Sequence, residues 1–120
     1  MSVRGSVRQA LSRWADTADQ EQRDLRRTHG SAGELAIAEA PLRTPVTLQG
    51  TLRSVTLMPR GGVPTLEAEL DDGTATVTLV WLGRRRLAGI EAGRALSASG
   101  RIGLHDGRRI LYNPRYELMP

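Results

Sequence analysis

The sequence has no cysteine, no lysine, no phenylalanine and no long apolar run. Without cysteine there can be no disulfide bond, no thiol nucleophile and no thiolate metal site. His29 and His105 lie far apart with no acidic cluster around either, which argues against a histidine metal site. No stretch approaches the roughly 20 apolar residues that cross a bilayer. We therefore expect a soluble, cytoplasmic protein with no cofactor, no metal and no membrane association.

The absence of lysine means that all 17 basic residues are arginines. Arginine keeps its proton to a pH of about 13. The sequence pI of about 10.9 therefore overstates the basic bias, because the formal net charge is only +4. Guanidinium groups suit phosphate binding and base stacking, but a GC-rich genome produces the same bias. The positions of the arginines therefore carry more information than their number.

Residues 1–30 are predicted to form an amphipathic helix, followed by a connector over residues 31–44. Ser6 and Gln9 have the spacing of a capping box at a helix start. Apolar residues then recur every three or four positions, which places them on one helical face. This face is expected to pack on the following domain or on a second copy of itself. A homodimer or a protein partner bound through this helix is therefore one alternative.

Residues 45–120 alternate between apolar and polar positions in five short segments, which predicts five β-strands. The first strand changes parity near Ser54, which predicts a bulge. The sequence over residues 71–73 is typical of a tight turn between the second and third strands. The only long interruption, residues 82–93, lacks alternation and predicts one short helix that plugs the fold between the third and fourth strands.

Five short blocks of this region resemble a known family. They are VTLQGTL from Val46, LDDGT from Leu70, VWLG from Val80, ASGRI from Ala98 and YNPRYEL from Tyr112. The family is the OB-fold nucleic-acid-binding family, which includes the wedge domain of the RecG helicase and the anticodon-binding domain of class II aminoacyl-tRNA synthetases. The whole chain is also similar to small stand-alone OB-fold proteins of actinobacteria. The resemblance implies an all-β fold: a five-stranded Greek-key barrel with a short helix between strands 3 and 4, preceded by the N-terminal helix.

The resemblance also implies where a ligand binds. OB-folds bind across strands 2 and 3, between the loop joining strands 1 and 2 and the loop joining strands 4 and 5. On this sequence that surface is predicted to present arginine, threonine and histidine side chains to nucleic acid. The predicted binding residues are Arg53, Arg60, Thr65, Thr76, Thr78, Arg101, His105, Arg108, Arg109 and Arg115. Gly61 and Gly62 leave the backbone bare, so a phosphate can approach Arg60 closely.

The densest basic run is Arg84–Arg86, within the predicted short helix. Three consecutive helical residues spread over about 200° of the helix circumference, so they cannot all face one nucleic-acid strand. Whether these arginines contact a ligand therefore stays open, and a solvated helix flank is the alternative.

Two features predict that any binding is weak. Trp81 shares the parity of core residues, and Tyr112 and Tyr116 are expected in the core or at its rim, so few rings remain for base stacking. Glu67 and Glu69 are predicted to face outward from strand 2, where they would repel phosphates. Binding is therefore expected to be salt-sensitive and largely independent of sequence.

The sequence thus favours a non-catalytic protein that binds single-stranded or branched DNA, or RNA. Ser97 and Ser99 have no recognisable histidine partner, and the residues at 71–73 have turn chemistry rather than that of an acid–base pair, so no enzyme is expected. The competing hypothesis is a protein-interaction module on the same scaffold. The sequence does not distinguish DNA from RNA, the biological pathway or the oligomeric state.

Overall fold

The computed structural model describes residues 35–120. They form one sheet of seven strands in the spatial order β5-β6-β3-β2-β1-β4-β7. The strands are β1 (Pro45–Arg60), β2 (Val63–Asp71), β3 (Thr76–Leu82), β4 (Ala95–Arg101), β5 (Gly103–His105), β6 (Arg108–Tyr112) and β7 (Arg115–Leu118). A single 3₁₀ turn, Ile37–Glu39, precedes β1. The predicted N-terminal helix lies outside the described residues.

β1 is the longest strand and organises the sheet, because it pairs with two different partners. Its first half pairs antiparallel with β4, with Pro45 opposite Arg101. Its second half pairs antiparallel with β2, with Arg60 opposite Val63 at the turn. A strand that serves both neighbours in succession must bend, and the bend curls the sheet around its core.

The bend in β1 has two local causes. The register between β1 and β2 shifts between Leu52 and Ser54, so Arg53 is the bulged residue. A Cβ atom on Gly50 would lie 2.8 Å from the carbonyl oxygen of Asp71, so the two backbones approach too closely for any other residue. The bulge predicted from the change of parity is therefore confirmed, just before Ser54.

The all-β class is confirmed, but the predicted fourth and fifth strands are each found as two pieces. β4 and β5 are separated at Ile102, and β6 and β7 are separated at Asn113 and Pro114. Asn113 has a φ of 49°, and proline has no N–H to donate, so the ladder stops there. β6 then pairs parallel with β3, and β7 pairs antiparallel with β4. The described fold is thus a curled, seven-stranded OB-like sheet rather than a closed barrel of five strands.

The predicted short helix between the third and fourth strands is wrong, because residues 83–94 form turns. Gly83, Gly89 and Gly93 have φ angles of 74°, 74° and 90°, a left-handed conformation that interrupts an α-helix. Ile90 is buried and Leu87 packs against the core, so the segment still covers apolar surface. Within residues 35–120 no helix is long and apolar enough to span a membrane.

The core lies inside the curl of the sheet. Its fully buried members come from every long strand and from the 3₁₀ turn: Ile37, Leu48, Leu52, Leu70, Leu79, Leu96, Ile102 and Leu111. Trp81 is 5% exposed, and its indole Nε1 donates a 3.1 Å hydrogen bond to the carbonyl oxygen of Pro114. The prediction that Trp81 is a core residue is therefore confirmed.

A buried carboxylate joins the connector to the turn between β2 and β3. Asp72 is 1% exposed. Its Oδ2 accepts a 2.9 Å hydrogen bond from the amide of Ile37, and its Oδ1 accepts bonds from the amides of Thr74 and Ala75 and from the Thr74 hydroxyl. Burial by itself raises the pKa of Asp72, but these hydrogen bonds together outweigh it and lower the pKa below its usual value.

Candidate functional site

The solvent side of β2 and β3 is the surface on which OB-folds bind their ligands. Here it lies between the β1–β2 turn, at Gly61 and Gly62, and the β5–β6 turn, at residues 106–107. Glu69 of β2 lies directly opposite Thr78 of β3, and their neighbours along the strands point into the core. We call this surface the β2–β3 face.

Three arginines reach the β2–β3 face, two from strand β1 and one from β6, and each pairs with one carboxylate of β2. The pairs are Arg53 with Asp71, Arg60 with Glu67, and Arg108 with Glu69. Arg53 comes from the bulge of β1, Arg60 from its end, and Arg108 from the start of β6. The three carboxylates are two positions apart along β2, so they share one side of the strand. We call these six residues the paired row.

The paired row is locally balanced in charge. The Arg53–Asp71 pair has an Nη1–Oδ2 distance of 3.0 Å, and the Arg108–Glu69 pair has an Nη2–Oε1 distance of 3.3 Å. The repulsion predicted from Glu67 and Glu69 is therefore offset within the face. The arginine side chains remain 54%, 46% and 67% exposed in chain order. Glu67 and Glu69 are partly exposed, and ion pairs at a surface contribute only about 0–1 kcal/mol, so Arg60 and Arg108 can change partners at low energy. The side chain of Asp71 is only 2% exposed, so Arg53 stays paired with it.

Two predicted binding residues, Arg109 and Thr65, make contacts within the fold instead of facing solvent on the β2–β3 face. The Nη2 atom of Arg109 donates a 3.0 Å hydrogen bond to the carbonyl oxygen of Ala38, so this side chain holds the connector against the sheet. Thr65 is fully buried, and its hydroxyl donates to the carbonyl oxygen of Val63. Neither side chain is available on the β2–β3 face in this conformation.

Two further predicted residues lie on a different surface. Arg115 of β7 pairs with Ser99 of β4, and Ser99 pairs with Thr47 of β1, on the solvent side of those three strands. Arg101 lies two residues beyond Ser99 on β4. The structure therefore brings Arg53, Arg60, Thr76, Thr78 and Arg108 to the β2–β3 face and sets Arg101 and Arg115 apart. His105 is at the tip of the β5–β6 hairpin, with its Nε2 3.5 Å from Oδ2 of Asp106.

Tyr112 is an aromatic residue of the β2–β3 face that the sequence did not identify as exposed. It is 50% exposed and lies beside Val80 in the parallel pairing of β3 with β6. Its neighbour Leu111 points into the core, so the ring of Tyr112 is on the solvent side. By contrast, the ring of Tyr116 contacts Trp81 edge to face at 5.7 Å, and its hydroxyl donates to the carbonyl oxygen of Ala88. Tyr112 is thus the ring available for stacking on this face.

The sequence alone does not show that Tyr112 is exposed. Ile110, Leu111 and Tyr112 are three consecutive apolar or aromatic residues, so they show no alternation. Only the pairing of β6 with β3 fixes which of them point outward.

Comparison with known proteins finds similar folds among solved structures. No protein-family model and no curated protein matches the chain. A replication protein A heterotrimer bound to ssDNA is similar, with a TM-score of 0.51 and 15% identity over 72% of this chain and 66% of that one. RecG bound to a three-way DNA junction is similar with a TM-score of 0.51 and 25% identity, over 63% of this chain and 11% of RecG. The described residues are therefore an OB-fold domain of the type present in nucleic-acid-binding proteins, corresponding to a part of each of those chains.

Proposed function

We propose that this chain is a non-catalytic cytoplasmic protein that binds single-stranded or branched DNA, or RNA, weakly and with little sequence preference. The observation that supports this most directly is the β2–β3 face itself, where three exposed arginines and the ring of Tyr112 surround two strands. The two similar structures, one with ssDNA and one with a DNA junction, are consistent with this ligand class.

Binding at this face is an exchange of partners. A phosphate oxygen replaces a carboxylate oxygen on the guanidinium groups of Arg60 and Arg108, and arginine presents two N–H groups to either anion in the same fork geometry. Because one ion pair is lost for each that forms, the net gain per contact is small. The gain also falls with salt concentration, since phosphate contacts release counterions from the nucleic acid.

Tyr112 supplies a contact that arginine does not. Stacking of a base on an exposed ring is worth about 1–3 kcal/mol and tolerates every base. The remaining groups of the face are arginine and threonine side chains suited to phosphate and sugar, which position the strand without reading its sequence.

The proposal is tested by fluorescence anisotropy with labelled single-stranded DNA and RNA of equal length. We expect saturable binding at about 50 mM salt that weakens steeply as salt is raised. Absence of binding to either nucleic acid at about 100 μM protein and this salt concentration would refute the proposal. The ratio of the two affinities gives the preference between DNA and RNA.

A protein-interaction module remains the second candidate, because apolar side chains are exposed around the β1–β2 hairpin. Leu57, Met58, Val63 and Leu82 are 53%, 39%, 45% and 48% exposed. Grouped apolar side chains on a surface are typical of protein contacts. Light scattering on the full chain and on a version that starts at Ser31 tests self-association, and monomers in both samples exclude a homodimer through the N-terminal residues.

A further inference from the structure

Two open clefts adjoin β7, which is an edge strand of the sheet. The first, of about 330 Å³, crosses from β1 and β4 to β7 and is lined by Thr47, Ser97 and Ser99. The second, of about 720 Å³, lies between β7 and the segment that begins at Trp81 and includes Arg84. Residues 115–117 line both clefts, so the two adjoin each other along β7. We call the two clefts together the β7 groove.

The arginines of the β7 groove differ from those of the paired row. Arg84 and Arg115 line the groove and are exposed, and Arg101 stands two residues beyond Ser99 at one end. No ion pair joins any of these three to another residue in the described range 35–120. Glu117 is the acidic side chain among the lining residues of the two clefts. The arginines of the groove can therefore bind a phosphate without first breaking an ion pair within the described residues.

Hydroxyl groups complete a surface suited to phosphate. Thr47 and Ser99 share a hydrogen bond of 2.9 Å between their hydroxyl oxygens, and Ser97 lies one pairing step further along β4. A hydroxyl has one donor and two acceptor positions, so each retains capacity for a ligand. Arginine, serine and threonine side chains make many of the protein contacts to phosphate oxygens and sugars.

The two aromatic rings that line the groove, the buried Trp81 and Tyr116, are not placed to stack on bases. Tyr116 is held by its edge-to-face contact with Trp81 and by its hydrogen bond to Ala88, so it forms a fixed wall. The groove thus offers charge and hydroxyl groups to a backbone and no free ring to a base.

We propose that the β7 groove is a second binding site, which takes the phosphodiester backbone of a single-stranded nucleic acid. It rests on the proposed function for the class of ligand, but its occupancy does not require the β2–β3 face. Arg84 and Arg115 contact phosphates, and the hydroxyls of Ser97 and Ser99 contact phosphate or sugar oxygens. The site assigns a role to Arg84, which the sequence left open.

Because the chain has no cysteine, a single introduced thiol reports on one surface at a time. Three variants are compared: S97C in the β7 groove, T56C on the β2–β3 face, and A92C in the exposed turn before β4. The alkylation rate of each thiol is measured with and without a saturating thymidine oligonucleotide of about 20 nucleotides. We expect alkylation of S97C to slow at least threefold and that of A92C to be unchanged.

Each outcome decides between the two sites. Protection of S97C supports the groove, and protection of S97C without T56C places binding in the groove alone and removes the β2–β3 face from the proposed function. Protection of T56C without S97C overturns the groove and leaves the proposed function intact. Unprotected thiols in a sample that binds by anisotropy overturn both placements, and absence of binding overturns the groove together with the proposed function.

A matched set of charge variants gives an independent reading. R84A, R115A and R94A each remove one positive charge, and Arg94 lies outside both surfaces in the turn before β4. We expect R84A and R115A each to reduce the salt slope of oligonucleotide binding by about one, as for the loss of one phosphate contact. R94A should leave the slope unchanged, and equal effects of all three variants would overturn the assignment.

Discussion

Asp72 holds the connector to the sheet through hydrogen bonds that no apolar side chain can replace. Asp72→Ala leaves the amides of Ile37 and Thr74 without their acceptor in a buried position. We expect it to lower the free energy of unfolding by about 2–3 kcal/mol, measured by urea denaturation. Glu91→Ala, at an exposed carboxylate in the turn before β4, is the control and should change it by less than about 0.5 kcal/mol. Equal effects of the two variants would contradict the role of Asp72.

The same carboxylate gives stability a defined dependence on pH. The pKa of Asp72 is lowered in the folded chain from the ordinary value of 3.8, so the unfolded chain binds its proton more tightly. The stability contributed by Asp72 is therefore fully present above a pH of about 4 and is lost as pH falls through the folded pKa. We expect the loss of thermal stability between pH values of about 5 and 2 to be smaller for Asp72→Asn than for the native chain. Parallel curves of Tm against pH would count against it.

Tyr112 tests whether the β2–β3 face uses a ring. Tyr112→Ala should weaken binding of a single-stranded oligonucleotide by about fivefold to 150-fold, the equivalent of one lost stacking contact. Tyr112→Phe keeps the ring and should bind like the native chain. Leu104→Ala, at an apolar side chain on β5 that is 58% exposed, is the matched control. If Tyr112→Ala and Leu104→Ala bind equally well in anisotropy titrations, base stacking at this position is excluded.

Single residues differ in how far the sequence could predict them. Trp81 was predictable as a core residue because it continues the alternation of Val77 and Leu79. The contact of Arg109 was not, because its acceptor is the carbonyl of Ala38, 71 positions away in the chain. A backbone acceptor leaves no signal in side-chain pattern.

At the scale of elements, the carboxylates of strand β2 compete with nucleic-acid phosphates for the arginines of the paired row. Glu67→Gln with Glu69→Gln removes two carboxylates from Arg60 and Arg108 while keeping side-chain shape. We expect oligonucleotide affinity to rise about tenfold and the magnitude of the salt slope to increase by about one to two, since two guanidinium groups become free for phosphate.

The control for this prediction makes the same change of net charge elsewhere. Glu39→Gln with Glu91→Gln neutralises two exposed glutamates that belong to neither the paired row nor the β7 groove. An equal rise in affinity for both double variants would show that binding follows net charge alone, and competition by β2 would be refuted.

Strands were predictable where apolar and polar residues alternate over a long stretch. Elements were less predictable where the backbone conformation of a few residues determines where they begin and end. The existence of β2 and β3 was predictable, because apolar core positions alternate with polar ones along both strands. A short helix was predicted within residues 82–93 from two apolar side chains, although three glycines in left-handed conformation break it. Strand breaks at Ile102 and Asn113 depend on local backbone turns that periodicity does not describe.

At the scale of the whole molecule, the all-β class was predictable and the division of the surface was not. Alternation and turn signals predicted β-strands over residues 45–120, and the resemblance implied the OB arrangement. The ten predicted binding residues, by contrast, are divided among the β2–β3 face, the buried interior, the connector contact, the hairpin tip and the β7 groove. That division follows from two features of the backbone. The bend of β1 pairs its first half with β4 and its second half with β2, and the break at Asn113 separates β6 from β7.

The division of charge leads to a prediction for the intact chain. The variant R60A/E67A/R108A/E69A removes two whole ion pairs and leaves the formal net charge at +4. If steering by overall charge dominates, it binds oligonucleotide as the native chain does. We expect instead that the affinity falls by at least about threefold and that the salt slope becomes smaller. The reason is that two guanidinium groups that contact phosphates are lost while the overall charge of the protein is kept. Anisotropy titrations over a range of salt concentrations measure both quantities, and comparison with R60A/R108A separates the loss of forks from the added repulsion of two unpaired glutamates.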